Sequence, residues 1–248
     1  MAVLVTRPSP DGEATGSALR ARGFAVLLAP VLRFEPLSFR HDPDAEYGAV
    51  VVTSANALGA IEPQLAGHRL LKLPVFAVGE HSAAAARAVG FDQVISAGGD
   101  AAALRERVLE SVRTKQLKKK SALLYLAGSD LSRDLAGELS EHGFNVITQT
   151  TYRMVPLCSL PRDVCDAFAA NQVEAVLHYS RRSARAFVEA VRTGGVEISA
   201  LAVPQCCISA NVAAILREAG ATGVTVASSP DENALFGALE RALRSGLT

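Results

Sequence analysis

The feature of this sequence that most limits its fold is an internal duplication. Shifting the chain by 120 residues places Leu4 on Leu124 and Leu19 on Leu139. The other matches run in the same order, first at 120 residues and then at 126 and 130: Gly23-Phe24 on Gly143-Phe144, Arg33 on Arg153, Ala49-Val50 on Ala175-Val176, Ser54 on Ser180, Arg87 on Arg217, Gly90 on Gly220 and Val94 on Val224. Ordered matches with slowly growing shifts are hard to obtain by chance, so they predict two copies of one structural unit.

Each copy alternates short β-rich runs with Ala/Leu-rich helical segments. Hydrophobic residues make up 49% of the 248, aromatic residues only 5%, and tryptophan is absent. A core of Ala, Val and Leu suits parallel strands covered by helices. The sequence therefore predicts an α/β protein with two flavodoxin-like lobes, each built on a five-stranded parallel sheet.

Two extended, proline-flanked stretches, residues 34–39 and 150–157, occupy corresponding places in the two copies. They predict a chain that crosses twice between lobes, with the two stretches paired as a two-stranded β connector. One lobe then comprises residues 1–33 with 158–248, and the other comprises residues 40–149. The alternative is two sequential lobes divided near residue 120. We prefer the crossed arrangement because residues 115–121 are typical of an ordinary helix-to-strand turn.

Local signals predict the helices that follow the strands. Thr53 to Asn56 are expected to cap a helix reaching about Ala66. Leu131, Leu135 and Leu139 are spaced for one face of another helix. Residues 145–149 are expected to form a strand that ends before the second connector.

Several classes of protein are disfavoured. A formal net charge of zero argues against nucleic-acid binding, and no apolar run is long enough to cross a membrane. The first residues, 1–8, favour a first strand over a signal peptide, and the four cysteines are expected to be buried, reduced thiols of a cytoplasmic protein. No phosphate-binding loop, dinucleotide fingerprint, nucleophile elbow or metal-ligand spacing is present. If the protein is an enzyme, we expect it to bind an anionic substrate without a metal or a nucleotide.

Ligands of open α/β sheets bind beyond the carboxyl ends of the strands. In this sequence those ends carry hydroxyl residues and glycines before helix N-termini, where backbone N–H groups accept anions such as carboxylates. The candidate binding residues are Arg7, Thr53, Ser54, Asn56, Gly79, Ser82, Gly98, Gly99, Gly128, Ser129, Ser180, Arg181 and Ser209. Simple helix capping favours the same residue types and is the alternative at each position. The two sets of strand ends are expected to face one cleft.

Tyr152 lies in the second connector, beside Arg153. One interpretation is a packed strand tyrosine. The other is a phenol that donates a proton at the mouth of the cleft.

Taken in order, four segments resemble the uroporphyrinogen-III synthase family. They are residues 5–8 (Val-Thr-Arg-Pro), 51–57 (Val-Val-Thr-Ser-Ala-Asn-Ala), 77–83 (Ala-Val-Gly-Glu-His-Ser-Ala) and 143–146 leading to Thr151-Tyr152-Arg153. The resemblance implies two discontinuous α/β lobes joined by a two-stranded ladder. It implies a cofactor-independent lyase that cyclises hydroxymethylbilane to uroporphyrinogen III and inverts ring D through a spiro intermediate. It also implies that Tyr152 is the proton donor, and Thr53, Ser54, Gly79 and Ser82 fit the family pattern.

The C-terminal part departs from that pattern. Tyr179-Ser180 stands where the family often has Thr-Ser, and Ser209 and Val212 stand where it often has Gly and Thr. Ser209, Arg181 or backbone amides would then substitute as carboxylate contacts. These departures keep two alternatives open: a non-catalytic binder of small polycarboxylates, and an inactive synthase-like regulatory domain. For the synthase we expect a cytoplasmic monomer without nucleic-acid or membrane partners, and a transient contact with hydroxymethylbilane synthase.

Overall fold

The computed structural model describes residues 1–40, 45–118, 120–131 and 133–245. The strands are β1 Ala2–Val5, β2 Ala25–Leu28, β3 Leu32–Pro36, β4 Tyr47–Val52, β5 Pro74–Ala77, β6 Gln93–Ser96, β7 Ala122–Gly128, β8 Asn145–Pro156, β9 Val173–His178, β10 Gln205–Cys207 and β11 Val224–Val226. The helices are α1 Asp11–Ala21, α2 Ala55–Gly59, α3 Glu62–Leu65, α4 Glu80–Ala88, α5 Ala101–Arg113, α6 Leu135–Glu141, α7 Arg162–Ala169, α8 Arg181–Thr193, α9 Glu197–Ala202, α10 Ala210–Glu218 and α11 Glu232–Ser245, with a 3-10 turn at Arg69–Lys72.

The chain divides into two units. The terminal unit consists of Met1–Arg33 with Val155–Thr248, and the middle unit is Phe34–Met154. The terminal sheet has the strand order β2-β1-β9-β10-β11, and the middle sheet the order β3-β8-β7-β4-β5-β6. Apart from the edge strand β3, both sheets follow the flavodoxin-like order 2-1-3-4-5, which confirms the predicted fold class. Apart from β3, each sheet takes two strands from one sequence copy and three from the other.

Strand register confirms the duplication residue by residue. Val3 pairs with Val26 in the terminal sheet, and Leu123 pairs with Val146 in the middle sheet, both displaced by 120. Leu4 pairs with Val176 in the terminal sheet, and Leu124 pairs with Val50 in the middle sheet. Leu4 and Leu124 are 120 residues apart, whereas their partners Val50 and Val176 are 126 apart. Gln205 pairs with Val224 where Val75 pairs with Val94, a displacement of 130 for both. The two sheets therefore share one hydrogen-bonding pattern as well as one strand order.

The edge strand β3 pairs with β8. The two boundaries between the units, at residues 33/34 and 154/155, lie within these two strands. The N–H of Leu157 donates to the carbonyl of Val31 at 2.9 Å, and the N–H of Leu37 donates to that of Thr151 at 2.7 Å. Because one residue number rises as its partner's falls, the two strands are antiparallel. This is the predicted two-stranded connector, but β8 runs without a break from Asn145 to Pro156, so the expected end of the strand at residue 149 is wrong.

Helix ends follow from local chemistry. Ser54, Asp100, Asp134 and Ser180 each accept a hydrogen bond from a backbone N–H in the first turn of the helix that follows. The glycines after α1, α4, α6 and α10 all have positive φ, between 88° and 100°, which ends a helix at no steric cost. These glycines, Gly23, Gly90, Gly143 and Gly220, are two of the repeat-related pairs.

Two helix predictions are wrong. The helix expected to reach Ala66 is two short helices, because Pro63 in the first turn of α3 lacks an N–H and cannot continue α2. Leu131 is not on the face shared by Leu135 and Leu139, because Asp134 caps the helix after it, and Leu131 is 46% exposed. No pattern in the sequence indicated α9 or the 3-10 turn at Arg69–Lys72.

In the middle unit the two faces of the sheet bury separate apolar clusters. Val50, Val52, Leu124 and Leu126 pack on one face with α2 and α4. On the other face Val51, Leu123 and Tyr125 pack with residues of α5 and α6. This alternation fixes which face each side chain takes at the strand ends.

The expectation of four buried thiols is wrong in part. Cys206 and Cys207 are buried, and burial raises the pKa of each thiol to about 12. Cys158 is exposed and Cys165 half-buried, because both lie outside the strands, in the segment from the connector to α7.

Candidate functional site

A β-bulge at the end of β7 and β8 decides where Tyr152 points. Ala127 pairs with Thr150, but the next residue, Gly128, pairs with Tyr152, so Thr151 is the extra residue. Ile147 packs on the α2/α4 face, and strict alternation would put Thr151 there and Tyr152 on the opposite face. The bulge reverses this parity, so Tyr152 packs on the α2/α4 face with Ile147.

Two neighbours hold the Tyr152 ring. Phe34 of β3 stacks on one side, with ring centroids 5.5 Å apart and an angle of 27° between the planes. Gly128 lies against the ring: a Cβ added there would be 2.7 Å from Cζ and 2.9 Å from Oη of Tyr152. Only a glycine leaves room for the phenol in this position.

A cavity of about 270 Å³ lies beside this tyrosine, at the carboxyl ends of the middle-unit strands. Its lining includes four residues predicted from the sequence: Thr53, Ser54, Gly128 and Tyr152. The lining residues that the sequence did not predict as binding or catalytic residues are Val78, Ala101, Tyr125, Asp130, Leu131, Arg133 and Leu135. A larger cavity of about 480 Å³, lined by Tyr47 and Lys118, lies at the amino ends of β4 and β7, the edge where α/β sheets do not bind ligands.

Tyr125 and Thr53 meet at the edge of the cavity. The Tyr125 side chain is 2% exposed, and its Oη lies 3.1 Å from Oγ1 of Thr53. Burial, the largest effect, raises the pKa of Tyr125, whereas its hydrogen bond with Thr53 lowers it and the negative charge of Asp134 raises it further. The net shift is upward, so the phenol stays protonated at neutral pH and can donate a hydrogen bond.

The charged groups of the lining are balanced. Arg133 forms a two-point ion pair with Glu138, and Arg105 donates to the same carboxylate at 2.9 Å. The hydrogen bond from Arg133 contributes most to lowering the pKa of the Glu138 carboxyl group, and the hydrogen bond from Arg105 lowers it further. Asp130 adds a negative charge to the lining, and the Asp100 carboxylate already accepts from the N–H groups of Ala102 and Ala103 at the start of α5. Hydroxyls are therefore what this cavity offers to a carboxylate.

The other predicted residues of the middle unit lie at the same strand ends. A Cβ on Gly79 would be 3.9 Å from the Gly99 carbonyl oxygen, and the Gly99 N–H donates to the Val78 carbonyl at 3.1 Å, so the loops after β5 and β6 adjoin. Gly98 has a φ of 66°. Ser129 donates its N–H to the Tyr152 carbonyl and its hydroxyl to Asp130.

Asn56 and Ser82 lie in the first turns of α2 and α4, respectively. The Asn56 N–H donates to the Ser54 hydroxyl at 3.2 Å, the capping bond of α2. Ser82 is 4% exposed in the first turn of α4. The Asn56 bond is made by its backbone and Ser82 is packed, so a substrate contact by either side chain stays a prediction.

In the terminal unit, Arg7 is held by the protein's own carboxylates. Its guanidinium donates to Asp11 at 2.6 Å and to Glu232 at 3.4 Å, and it lies 4.3 Å over the Tyr179 ring. The same oxygen of Glu232 accepts from the hydroxyls of Thr15 at 2.6 Å and Tyr179 at 2.9 Å. Burial is the largest cause of the raised pKa of Tyr179. Arg7 therefore belongs to an internal ion-pair network.

The remaining predicted residues begin helices of the terminal unit. Ser180 caps α8 by accepting from the Ser183 N–H at 3.1 Å, and Arg181 is exposed in the first turn. Ser209 precedes α10 without a side-chain capping bond, which leaves its hydroxyl available to a ligand. Val212 is 3% exposed in the same helix, so it packs in the core and offers no hydroxyl to a ligand.

Metal-binding clusters and membrane-spanning helices are not found among the described residues. Within the described ranges, no group of three or more His, Cys, Asp or Glu side chains is arranged to hold a metal ion. In the same part of the chain, no helix combines the length and apolar character needed to cross a membrane.

Fold and site together define a duplicated α/β protein with two flavodoxin-like sheets, a connector of two strands and a hydroxyl-lined cavity at the strand ends. The family model for uroporphyrinogen-III synthase HemD matches residues 13–237. The chain belongs to the uroporphyrinogen-III synthase family.

Solved structures agree with this fold. The uroporphyrinogen-III synthetase of Helicobacter pylori superposes with a TM-score of 0.63 at 18% identity, covering 98% of this chain and 99% of that one. A mutant uroporphyrinogen III synthase of the thermophilic bacterium Thermus thermophilus superposes with a TM-score of 0.57 at 18% identity, covering 99% and 100%. Among proteins with curated descriptions, none matches this sequence significantly.

Proposed function

We propose that this chain catalyses the conversion of hydroxymethylbilane to uroporphyrinogen III, and that the middle-unit cavity is where Tyr152 acts. Membership of the family over residues 13–237 supports the reaction. The observation that carries the site is the β-bulge at Thr151, which turns Tyr152 towards a cavity lined by hydroxyls. Bulges that re-aim one side chain are typical of active sites.

The substrate is a linear tetrapyrrole with eight carboxylates. Neutral donors on rigid strand ends suit such a ligand, because each hydroxyl or backbone N–H can bind a carboxylate without an excess of positive charge. Thr53 and Ser54 line the cavity, and Gly79, Gly98 and Gly99 lie in adjoining loops. We assign these residues to carboxylate binding in the middle unit. Ser209 and the exposed Arg181 are the candidates in the terminal unit.

In the proposed first step, Tyr152 donates a proton to the hydroxyl group on ring A, which leaves as water. The product is an azafulvene cation that the pyrrole itself stabilises, so the contribution of one proton donor is modest. The substituted carbon of ring D then attacks the cation and gives a spiro intermediate. Fragmentation and reclosure invert ring D, and the proton lost on closure restores the Tyr152 phenol.

Selection of the inverted isomer depends on geometry. The protein must hold ring D with its substituted carbon nearer the cation than its unsubstituted carbon. Phe34 and Gly128 fix the Tyr152 ring from two directions, and β7 and β8 are regular strands up to the bulge. Rigid placement of this kind favours one product over the other.

The chemistry assigned here is that of a lyase, since water is eliminated as the macrocycle closes. We propose that the protein acts in the cytoplasm as a monomer. Hydroxymethylbilane is unstable to spontaneous closure, which favours a transient contact with the hydroxymethylbilane synthase that supplies it.

An isomer assay tests the proposal. Purified protein is incubated with hydroxymethylbilane under anaerobic conditions, and the type I and type III products are oxidised and separated chromatographically. We expect type III to predominate. Type I alone, as in the uncatalysed closure, would contradict the proposal.

A further inference from the structure

The hydroxyls of Tyr125 and Thr53 form a polar pair next to the apolar core of the middle unit. Tyr125 lies on β7 among aliphatic residues, on the face that packs against α5 and α6. Its ring extends along that face until Oη lies 3.1 Å from Oγ1 of Thr53, the residue that follows β4. Both residues line the 270 Å³ cavity.

The two hydroxyls have one O–H hydrogen more than their mutual hydrogen bond requires. Two hydroxyls carry two O–H hydrogens, and their mutual bond uses one of them. A phenol is the stronger donor and an aliphatic alcohol the better acceptor, so Tyr125 donates to Thr53. The O–H of Thr53 is then left for an acceptor in the cavity, and the bond it receives strengthens it as a donor.

The repeat indicates which acceptor suits this position. Displacement by 126 relates Thr53 to Tyr179, which follows β9 as Thr53 follows β4. The Tyr179 hydroxyl donates to the carboxylate of Glu232 at 2.9 Å. In the terminal unit, the strand end that corresponds to Thr53 is thus already bonded to a carboxylate of the protein itself.

We propose that Tyr125 is a positioning residue that orients the Thr53 hydroxyl as a donor to a carboxylate of the substrate. The proposal rests on the function proposed above. Tyr125 itself does not touch the reacting atoms. Its loss would leave the Thr53 hydroxyl free to rotate and weaken one carboxylate contact without removing the proton donor Tyr152.

A double-mutant cycle tests the proposal through KM and kcat for hydroxymethylbilane. Thr53→Val removes the donor, and a hydrogen bond to a charged group is worth enough to raise KM roughly tenfold or more. Tyr125→Phe should raise KM about threefold to tenfold and leave kcat within about twofold. The double variant should match Thr53→Val alone, because Tyr125 acts through Thr53.

Two further variants separate positioning from general stability. Thr53→Ser retains the hydroxyl, so its KM should stay near that of the wild type and should still rise on Tyr125→Phe. Tyr47→Phe makes the same change in the same sheet at the opposite edge, beside the other cavity, and should leave KM unchanged. Thermal melting of every variant identifies any loss of folded protein.

The outcomes are distinct. An unchanged KM in Tyr125→Phe, or effects of Tyr125→Phe and Thr53→Val that multiply in the double variant, would overturn the positioning role. Wild-type protein that forms only the type I isomer would instead overturn the proposed function. A rise in KM confined to the Thr53 and Tyr125 variants, with type III still formed, supports both.

Discussion

Substituting Gly128 by alanine should displace the Tyr152 phenol and slow the reaction while leaving the fold intact. The new Cβ would be 2.7 Å from Cζ and 3.0 Å from Cε1 of Tyr152. Ordinary carbon–carbon contacts are about 3.5–4.0 Å, so the ring must retreat by about 1 Å. Phe34, stacked at 5.5 Å, opposes that retreat.

The size of the effect follows from this displacement. A misplacement of about 1 Å can cost about 10²-fold in rate, so kcat of Gly128→Ala should fall roughly 10–100-fold. Crowding should also lower the free energy of unfolding by about 1–3 kcal/mol. Steady-state kinetics and urea denaturation measure the two effects.

Gly59→Ala is the matched control. Gly59 ends α2 in the same unit, and a Cβ there would meet no atom within 4 Å. Its kcat should be unchanged, and its stability should rise by up to about 1 kcal/mol because alanine favours a helix. Combining Gly128→Ala with Tyr152→Phe should slow the reaction no more than the more damaging single change. A wild-type kcat in Gly128→Ala, or multiplicative losses in the double variant, would refute the reasoning.

Three further predictions concern single groups. Tyr152→Phe should lower kcat by about 10–100-fold and leave the melting temperature unchanged. This loss is at or below the lower end of the rate contributions that general acids make. Unchanged kinetics would remove Tyr152 from the mechanism. Glu232→Gln, in which a neutral amide replaces the carboxylate bonded to Arg7, Thr15 and Tyr179, should lower the free energy of unfolding by about 1–3 kcal/mol, whereas the exposed Glu218→Gln should change it little; equal effects would contradict the network. Burial lowers the pKa of His178 to about 4, so the unfolded chain binds more protons than the native protein below the ordinary pKa of 6.5, and stability is lost as the pH falls from 6.5 towards 4. Between pH 7.5 and 5 the wild type should lose about 2 kcal/mol more than His178→Gln in urea denaturation, and parallel pH profiles would show that His178 contributes nothing.

The two sheets could be predicted because they depend on short-range sequence patterns, and the internal duplication presents each pattern twice. The shifts of 120, 126 and 130 residues, seen in single matches such as Leu4 with Leu124, reappear in the strand register. Which face Tyr152 takes could not be predicted. It depends on one extra residue in β8, Thr151, and nothing in the local sequence distinguishes a bulge there from regular alternation.

Tyr125 was missed for a different reason. Buried strands of parallel sheets are expected to be uniformly apolar, and the other residues of β7 fit that expectation. A signal was present: a tyrosine among aliphatic residues needs a partner for its hydroxyl, and its repeat mate Val5 has no hydroxyl. Arg133 could not have been placed, because its position depends on where α6 begins, and the Asp134 cap shortens that helix.

The terminal unit shows how far the repeat has diverged at the position of the proposed site. Where the middle unit has Thr53 and Tyr125 beside a cavity, the terminal unit has Tyr179 and Val5, and Glu232 is bonded at the strand end. A carboxylate held there by Arg7, Thr15 and Tyr179 stabilises the unit. The sequence alone could not indicate that Arg7 is bonded to Glu232, because the two residues are 225 positions apart in the chain.

A crystal structure with uroporphyrinogen III bound, grown anaerobically, tests the central claim most directly, which is that the strand-end cavity of the middle unit binds the substrate. The account predicts a carboxylate oxygen of the ligand within about 3.2 Å of the Thr53 hydroxyl and the macrocycle against Tyr152. A ligand bound with Thr53, Gly128 and Tyr152 all out of contact would contradict it.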